Sequence, residues 1–361
     1  MPGSIPVQGA VRGRGAKSNR SGRYEPQTRE DFDDGWTAED AEPPRIDTTL
    51  TPERARTIIT RNDSPDVGFD RSINPYRGCE HGCIYCYARP AHAYMGLSPG
   101  VDFETRLFFK AEAARLLEKE ITAPRYAPRH IHIGGNTDPY QPAERTLKVT
   151  RSVLEVLARY DHPFSIITKS ALIARDADII GPMGARGLAR AFVSVTTLDR
   201  KLARAMEPRA SAPDRRLAAI RALTDAGAPV GVGFAPVIPG LNDHELEAVL
   251  AAAARAGAVS AMYVTLRLPL EIKDLFREWL EAERPDRARK VMSLIRQMRR
   301  GRDYDPDWGV RMRGEGPIAD LIAARFARAV AAHGLDRPRP PLRLDLFKRP
   351  AAERAQMDLF G

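Results

Sequence analysis

The sequence predicts an α/β fold, a partial (β/α)6 TIM-like barrel with a disordered N-terminal arm and a helical C-terminal extension. Three observations carry that expectation. From residue 101 onward, strand-like and helix-like segments alternate, which implies parallel strands joined by right-handed crossovers. With one strand leading into a cysteine-rich loop, about six such units fit the chain, too few for a closed eight-stranded barrel. The polar strand ends at 134–138, 168–170, 194–197 and 236–242 then converge on one face, where such folds carry their chemistry.

The elements follow from local pattern. Residues 102–109 (DFETRLFF) read as a strand or strand entry, with a helix over 110–121. The run His130–Ile133 meets Gly134-Gly135, a strand ending in a loop. Val149, Val153, Val156 and Leu157 share one helical face. Phe164–Thr168 and Phe192–Thr197 read as buried strands. Ser211 with Pro213 marks a helix start, and Leu217, Ile220 and Leu223 supply its buried side. Val230–Val237 is a strand opening into the turn at 238–243, and Leu246, Val249, Leu250 and Ala253 form an i, i+3, i+4, i+7 stripe. Ala261–Leu266 is the last clear strand. The expected organisation is a flexible basic then acidic arm over 1–45, a core over 46–270 with the cysteine loop at 79–86, a helical extension over 271–335 and an extended, loosely held tail over 336–361.

Composition sets outer bounds. A chain of 361 residues with 43% hydrophobic residues can bury a large core. The first 30 residues carry six Arg or Lys and no apolar run, unlike a secretory signal, and no apolar stretch reaches membrane-spanning length. A cytoplasmic location is expected, where thiols stay reduced. The net charge of +9 admits a nucleic-acid partner, but an Arg-rich, Ala-rich composition produces the same figure without one.

The only three cysteines, Cys79, Cys83 and Cys86, lie in the run Cys-Glu-His-Gly-Cys-Ile-Tyr-Cys. Three thiols this close, with none elsewhere, point to a metal site rather than a disulfide framework. They are one short of a four-cysteine iron–sulfur site, which leaves an open coordination position. The alternative is structural zinc with His81 or His92 as fourth ligand, although such sites usually draw on two separated ligand pairs.

The segment Asn74-Pro-Tyr-Arg-Gly-Cys-Glu-His-Gly-Cys-Ile-Tyr-Cys-Tyr87 resembles the cluster loop of the radical SAM superfamily, and most closely its spore photoproduct lyase-related branch. The resemblance covers roughly residues 70–270. It implies a barrel of the radical SAM type, with Cys79, Cys83 and Cys86 holding a 4Fe–4S cluster. S-adenosyl-L-methionine would chelate the fourth iron and be reductively cleaved to a 5′-deoxyadenosyl radical, with a flavodoxin- or ferredoxin-like electron donor. Gly134, Gly135, Asn136 and Thr137 stand where the family has a Gly-Gly-Glu stretch meeting the cofactor amine; Asn136 replaces the acid, so only the backbone role carries over. Lys169 resembles a lysine that pairs with the cofactor carboxylate, and Ser194 a polar residue at the ribose. The strand at 230–239 is placed to pack on adenine, and a core strand reads the same way. Asp138, Tyr140, Gln141 and Glu144 are expected to line the barrel opening. Tyr85 and Tyr87 flank Cys86 near the radical path of that branch, or simply shield the cluster. Glu207 and Arg209 hold substrate or cofactor, or form a salt bridge. Spore photoproduct lyase also uses a further cysteine as hydrogen-atom donor, near the position of Gly135. This chain has no fourth cysteine, which argues against the same repair reaction.

The chain ends Gln356-Met357-Asp358-Leu359-Phe360, which resembles the peptide by which bacterial replication and repair proteins dock on the sliding clamp; a partial copy, Leu344-Asp-Leu-Phe347, lacks the Gln. Together these features favour a radical SAM enzyme on DNA or another nucleic acid, with DNA repair as the expected setting. The alternatives are a radical SAM enzyme on a peptide or small molecule, and a non-catalytic metal-binding nucleic-acid module.

Overall fold

The apolar runs of the sequence become strands, and its helical stripes pack against them. The computed structural model describes residues 11–26, 45–337 and 340–349. Its strands are β1 (Thr49–Pro52), β2 (Ile59–Arg61), β3 (Arg71–Ile73), β4 (Tyr76–Arg77), β5 (Arg106–Phe109), β6 (Ile131–Ile133), β7 (Phe164–Thr168), β8 (Ala189–Ser194), β9 (Val230–Val237) and β10 (Ser260–Thr265). One sheet runs β10-β9-β8-β7-β6-β3-β2. Every neighbouring pair from β3 to β10 is parallel, and β2 joins the edge antiparallel with Ile59 opposite Ile73. The six parallel strands form the expected open barrel. Two segments span its open side: Asp66, between β2 and β3, receives Arg311 Nε at 2.5 Å and the Gly309 N–H at 2.8 Å.

Parallel strands buried on both faces need apolar residues at nearly every position, and Val230–Val237 shows this. The helices Val149–Arg159, Pro213–Asp225 and Leu246–Arg255 bury the stripes read from sequence: Val149, Val153, Val156 and Leu157, then Ile220 and Leu223, then Leu246, Val249, Leu250 and Ala253. Leu217 is only half-buried against that core. A second apolar cluster joins Cys83, Ile84 and Tyr85 to Leu202 and Met206, and to Leu275, Phe276, Trp279 and Leu280 of the helix Ile272–Glu283. The helical extension therefore supports the cysteine loop from below.

Three expectations need correction. Residues 102–109 are a short helix, Asp102–Thr105, followed by β5. β5 pairs with β1 and β4 in a separate three-stranded sheet, outside the barrel. Within the segment read as a flexible arm, residues 11–26 are packed into the protein, with Val11, Arg14, Ala16, Ser18 and Asn19 buried. Their polar composition hid this, because their partners lie far away in sequence. The tail is also held in part: the Arg343 N–H donates to the Gly187 carbonyl at 3.0 Å, and the Lys348 N–H to the Tyr160 carbonyl at 2.8 Å. Phe347, the anchor of the partial clamp motif, packs 5.3 Å from His162 and 5.9 Å from Tyr126, centroid to centroid. Gln356, Met357, Leu359 and Phe360 lie outside the described residues. Among the described residues no helix is long and apolar enough to cross a membrane.

Phe347→Ala is expected to lower unfolding free energy by about 2 kcal/mol through lost aromatic burial, and Leu344→Ala, at an exposed position, by less than about 0.5 kcal/mol. Equal effects in urea unfolding would mean that the tail does not dock as described. Burial also holds His130 and His162 down at about 4, and His132 at about 3. These folded values lie below the usual unfolded value of about 6.5, so the unfolded chain takes up protons first. Stability is then complete above about pH 6.5 and falls as pH drops toward 4, by up to about 1.4 kcal/mol per pH unit per group. Urea titrations from pH 7 to 5 should show a shallower decline in His132→Gln, and a slope unchanged by that substitution would refute the assignment.

Candidate active site

The cysteine loop leaves β4 and is fixed by backbone bonds at each cysteine turn. The Cys79 N–H donates to Phe103 O at 2.9 Å, Cys86 N–H to Cys83 O at 3.1 Å, and Ile84 N–H to Met206 O at 3.0 Å. Gly82 sits between two of the cysteines at φ +65°, where a Cβ would fall 2.6 Å from Glu104 Oε2. A glycine is required there both for the left-handed turn and for space. Beneath the loop, the buried Arg89 guanidinium donates to the carbonyls of Cys83 at 2.9 Å, Pro99 and Gly100 at 3.0 Å, and Gly82 at 3.1 Å. Its remaining partner is the buried Glu104 carboxylate, at 2.5 Å. Gln141 adds a further tie, accepting from the Glu80 N–H at 2.9 Å and donating to Gly78 O at 3.2 Å.

The three thiols lie close enough to influence one another. Burial pushes all of them up, and the Lys169 ammonium opposes this at Cys83; at Cys86 Arg89 and Lys169 both oppose it. Three soft thiolate donors on one loop, with a cation nearby to offset their charge, match what an iron–sulfur cluster requires. Among the described residues no three His, Cys, Asp or Glu side chains converge on a single-ion site. Of the two histidines considered for zinc, His92 has a backbone hydrogen-bond partner and His81 lies beside a carboxylate. His92 Nε2 lies 3.0 Å from Arg106 O, and His81 Nδ1 lies 3.3 Å from Asp138 Oδ2. A cluster spreads its thiolates over separate irons, so the donor set fits a cluster better than one zinc ion.

The strand ends gather around this loop. After β6, the Gly134 N–H donates to Ile73 O at 3.3 Å, and the Asn136 N–H donates to Asn74 Oδ1 at 2.9 Å. Thr137 turns inward, its hydroxyl donating to Tyr76 O at 2.8 Å. Asp138 accepts from the Thr168 hydroxyl at 2.6 Å and from the Lys169 N–H at 2.8 Å. Burial alone would raise this carboxyl, but His81 and the hydrogen bonds from Thr168 and Lys169 outweigh it and hold it at about 2. After β7, Lys169 Nζ stands 5.7 Å from the centroid of the Tyr85 ring. Ser194 is buried at the end of β8, and its carbonyl accepts from Arg216 at 3.1 Å.

Several residues expected at the barrel opening are buried struts instead. Tyr140, Gln141 and Glu144 are fully buried. Tyr140 donates to Asp176 at 3.0 Å, and Glu144 accepts from Tyr76, from the Thr150 N–H at 2.9 Å and from Arg175 at 2.8 Å. The charged residues after β8 divide similarly. Glu207 is buried, takes the Tyr85 hydroxyl and the Thr196 hydroxyl, and pairs with buried Arg216. Arg209 is more exposed and pairs with Glu80 of the loop at 2.9 Å. The salt-bridge reading describes both. Tyr87 differs from Tyr85: it is 45% exposed, its hydroxyl donates to Gly135 O, and Arg267 lies 5.0 Å from its ring centroid. Sequence reading overlooked Arg89, Glu104, Arg216 and Arg267. The one available signal was an arginine three residues after Cys86, in a run otherwise short of charge.

The family model described as Radical SAM superfamily matches residues 73–253. An uncharacterized protein of Mycobacterium tuberculosis is 34% identical over 275 residues, covering 76% of this chain and 78% of that protein. An uncharacterized protein of Methanocaldococcus jannaschii is 25% identical over 173 residues, covering 48% of this chain and 62% of that protein. Among solved structures, spore photoproduct lyase complexed with dinucleoside spore photoproduct superimposes with a TM-score of 0.57 at 17% identity, covering 79% of each chain. A mutant of that lyase with bound AdoMet and the same dinucleoside gives 0.53 at 15% identity, covering 79% of this chain and 78% of that one. At such identities the likeness concerns the fold.

The two charged anchors of the loop, Glu207 and Arg209, should respond differently to mutation. Glu207→Ala leaves Arg216 buried and unpaired, and should cost about 3–5 kcal/mol of unfolding free energy. Arg209→Ala, at a partly exposed pair, should cost less than about 1 kcal/mol. Comparable losses in denaturant titrations would contradict the division into strut and surface pair.

Proposed function

The chain belongs to the radical SAM superfamily, and we propose that it is a radical enzyme whose substrate is nucleic acid. Cys79, Cys83 and Cys86 would hold three irons of a 4Fe–4S cluster, leaving the fourth for S-adenosyl-L-methionine. When bound, cluster and cofactor together supply a 5′-deoxyadenosyl radical by one-electron reduction, with a flavodoxin- or ferredoxin-like protein as donor. The protein's own part is to bind, orient and exclude water. In this reading the backbone at Gly134, Gly135 and Asn136 would meet the cofactor amine, Lys169 its carboxylate and Ser194 its ribose. Thr137 serves by fixing that loop to Tyr76.

The observation that carries the substrate reading is the exposed Tyr87 ring beside the cysteines, with the Arg267 guanidinium over it. An aromatic face backed by a cation is a sequence-tolerant platform for a nucleobase. The net charge of +9 suits a polyanion. The solved lyase complexes contain a dinucleoside, which makes a nucleic-acid substrate the natural first candidate. Clamp docking through Gln356, Met357, Leu359 and Phe360 belongs to the same reading, as a means of delivery to DNA.

Anaerobically reconstituted protein given S-adenosyl-L-methionine and a strong reductant should form 5′-deoxyadenosine, and Cys83→Ala should form none. Tyr87→Ala should weaken single-stranded oligonucleotide binding about tenfold or more, since stacking is worth about 1–3 kcal/mol per base. Fluorescence anisotropy unchanged in both Tyr87→Ala and Arg267→Ala would overturn the nucleic-acid reading while leaving the radical chemistry intact.

A further inference from the structure

We propose that residues 11–26 are a strap that sets the shape of the cysteine loop, with Glu104 as the positioning residue through which it acts. One Glu104 oxygen accepts the Gly15 N–H at 2.9 Å; the other accepts the Ala16 N–H at 2.9 Å and Arg89 Nη2 at 2.5 Å. The same carboxylate thus joins the strap to the arginine that gathers the loop carbonyls. The fit is close: a Cβ on Gly15 would fall 1.9 Å from the Gly82 carbonyl oxygen. Val11 and Ala16 belong to the apolar cluster that contains Cys83, Ile84 and Tyr85.

Neighbouring bonds extend the same attachment. Arg14 donates to Glu104 O and Ile46 O, both at 2.8 Å, and to the Thr48 hydroxyl at 3.0 Å, and Thr48 donates on to Glu80 of the loop at 2.7 Å. Asn19 and Asp102 exchange two bonds, at 2.9 and 3.0 Å. The far end is pinned to the helical extension by Lys17–Glu283 at 2.6 Å, and by Ser18 and Arg20 to Glu278 and Arg23 to Glu271, each at 2.7 Å. The strap is therefore stretched between the cysteine loop and the helix Ile272–Glu283. Without it, the buried carboxylate loses two charge-assisted bonds, and the turn at 82–85 loses its cover.

The test uses full-length Gly15→Ala, and a chain lacking residues 1–26. The first readout is alkylation of Cys83 in the metal-free protein, followed by mass spectrometry, which does not depend on any cluster. Both variants should react at least tenfold faster than the native chain, at a temperature where circular dichroism shows Gly15→Ala to be folded. Glu104→Ala should give the same acceleration, Glu104→Gln less, and Gly15→Ala combined with Glu104→Ala no more than either alone. Native alkylation rates in Gly15→Ala, or fully additive effects with Glu104→Ala, would overturn the proposal, even if the shortened chain fails to fold. The second readout is iron release from reconstituted protein to a chelator, which rests on the cluster reading. Faster alkylation with unchanged iron release would refute a role for the strap in holding the cluster, while a native chain that binds no iron would refute the cluster reading itself.

Discussion

The buried Arg89–Glu104 pair is the constraint on which the site depends. A loop that turns three cysteines inward must bury the carbonyls between them, and each needs a donor. Arg89 supplies donors to two such carbonyls, Gly82 and Cys83, and from the same planar group to those of Pro99 and Gly100. Its charge would be costly so deep in the protein without a counter-ion, and Glu104 provides it at full burial. Glu104 in turn needs further donors, which come from the Gly15 and Ala16 backbone. Each partner exists because the previous one must be satisfied. A lysine in place of Arg89 could not reproduce this geometry, having only a compact point charge.

Much of the fold was legible because periodicity is a local property. Val230–Val237 has the bounds read from its apolar run, and the stripe at Leu246, Val249, Leu250 and Ala253 is buried as expected. The family was equally legible, since the cysteine run that signals it spans only eight residues of the matched region. What sequence concealed is what depends on distant partners. Residues 11–26 look like a solvated arm because they are polar, but Lys17 and Arg20 meet acids on the helix Ile272–Glu283. Asp138, Tyr140, Gln141 and Glu144 follow a glycine pair at a strand end and so read as a mouth. Only the described contacts show that the last three face inward as struts. Composition cannot separate Glu144, buried with donors from Tyr76, Arg175 and the Thr150 and Arg151 N–H groups, from an exposed carboxylate.

Glu207 illustrates how a charged residue after a barrel strand can mislead. In such folds the strand ends carry chemistry, so an acid there invites a catalytic role. Its oxygens, however, accept from Tyr85 and Thr196 and pair with Arg216, all within the protein. It connects the cysteine loop to the helix Pro213–Asp225. Tyr85 is thereby held as part of the scaffold, while Tyr87, two residues on, stays exposed with Arg267 above it. The two tyrosines have the same sequence context and opposite surroundings.

The region matched by the family model, 73–253, contains the cysteines and most of the barrel strands. Arg89, Glu104 and Gln141 support the cysteine loop from within that region, and further supports come from outside it. The strap lies before it, and Leu275, Phe276 and Trp279 lie after it, in the same apolar cluster as Cys83 and Tyr85. Trp279 is fully buried and donates from Nε1 to Ala205 O at 3.0 Å, one residue before the Met206 whose carbonyl receives the Ile84 N–H. The shared barrel thus supplies the chemistry, and the two flanks set the surroundings in which it operates. Changes in those flanks can alter the packing, exposure and charge around the loop while every cysteine remains in place, so the shared fold does not by itself fix what the site acts on.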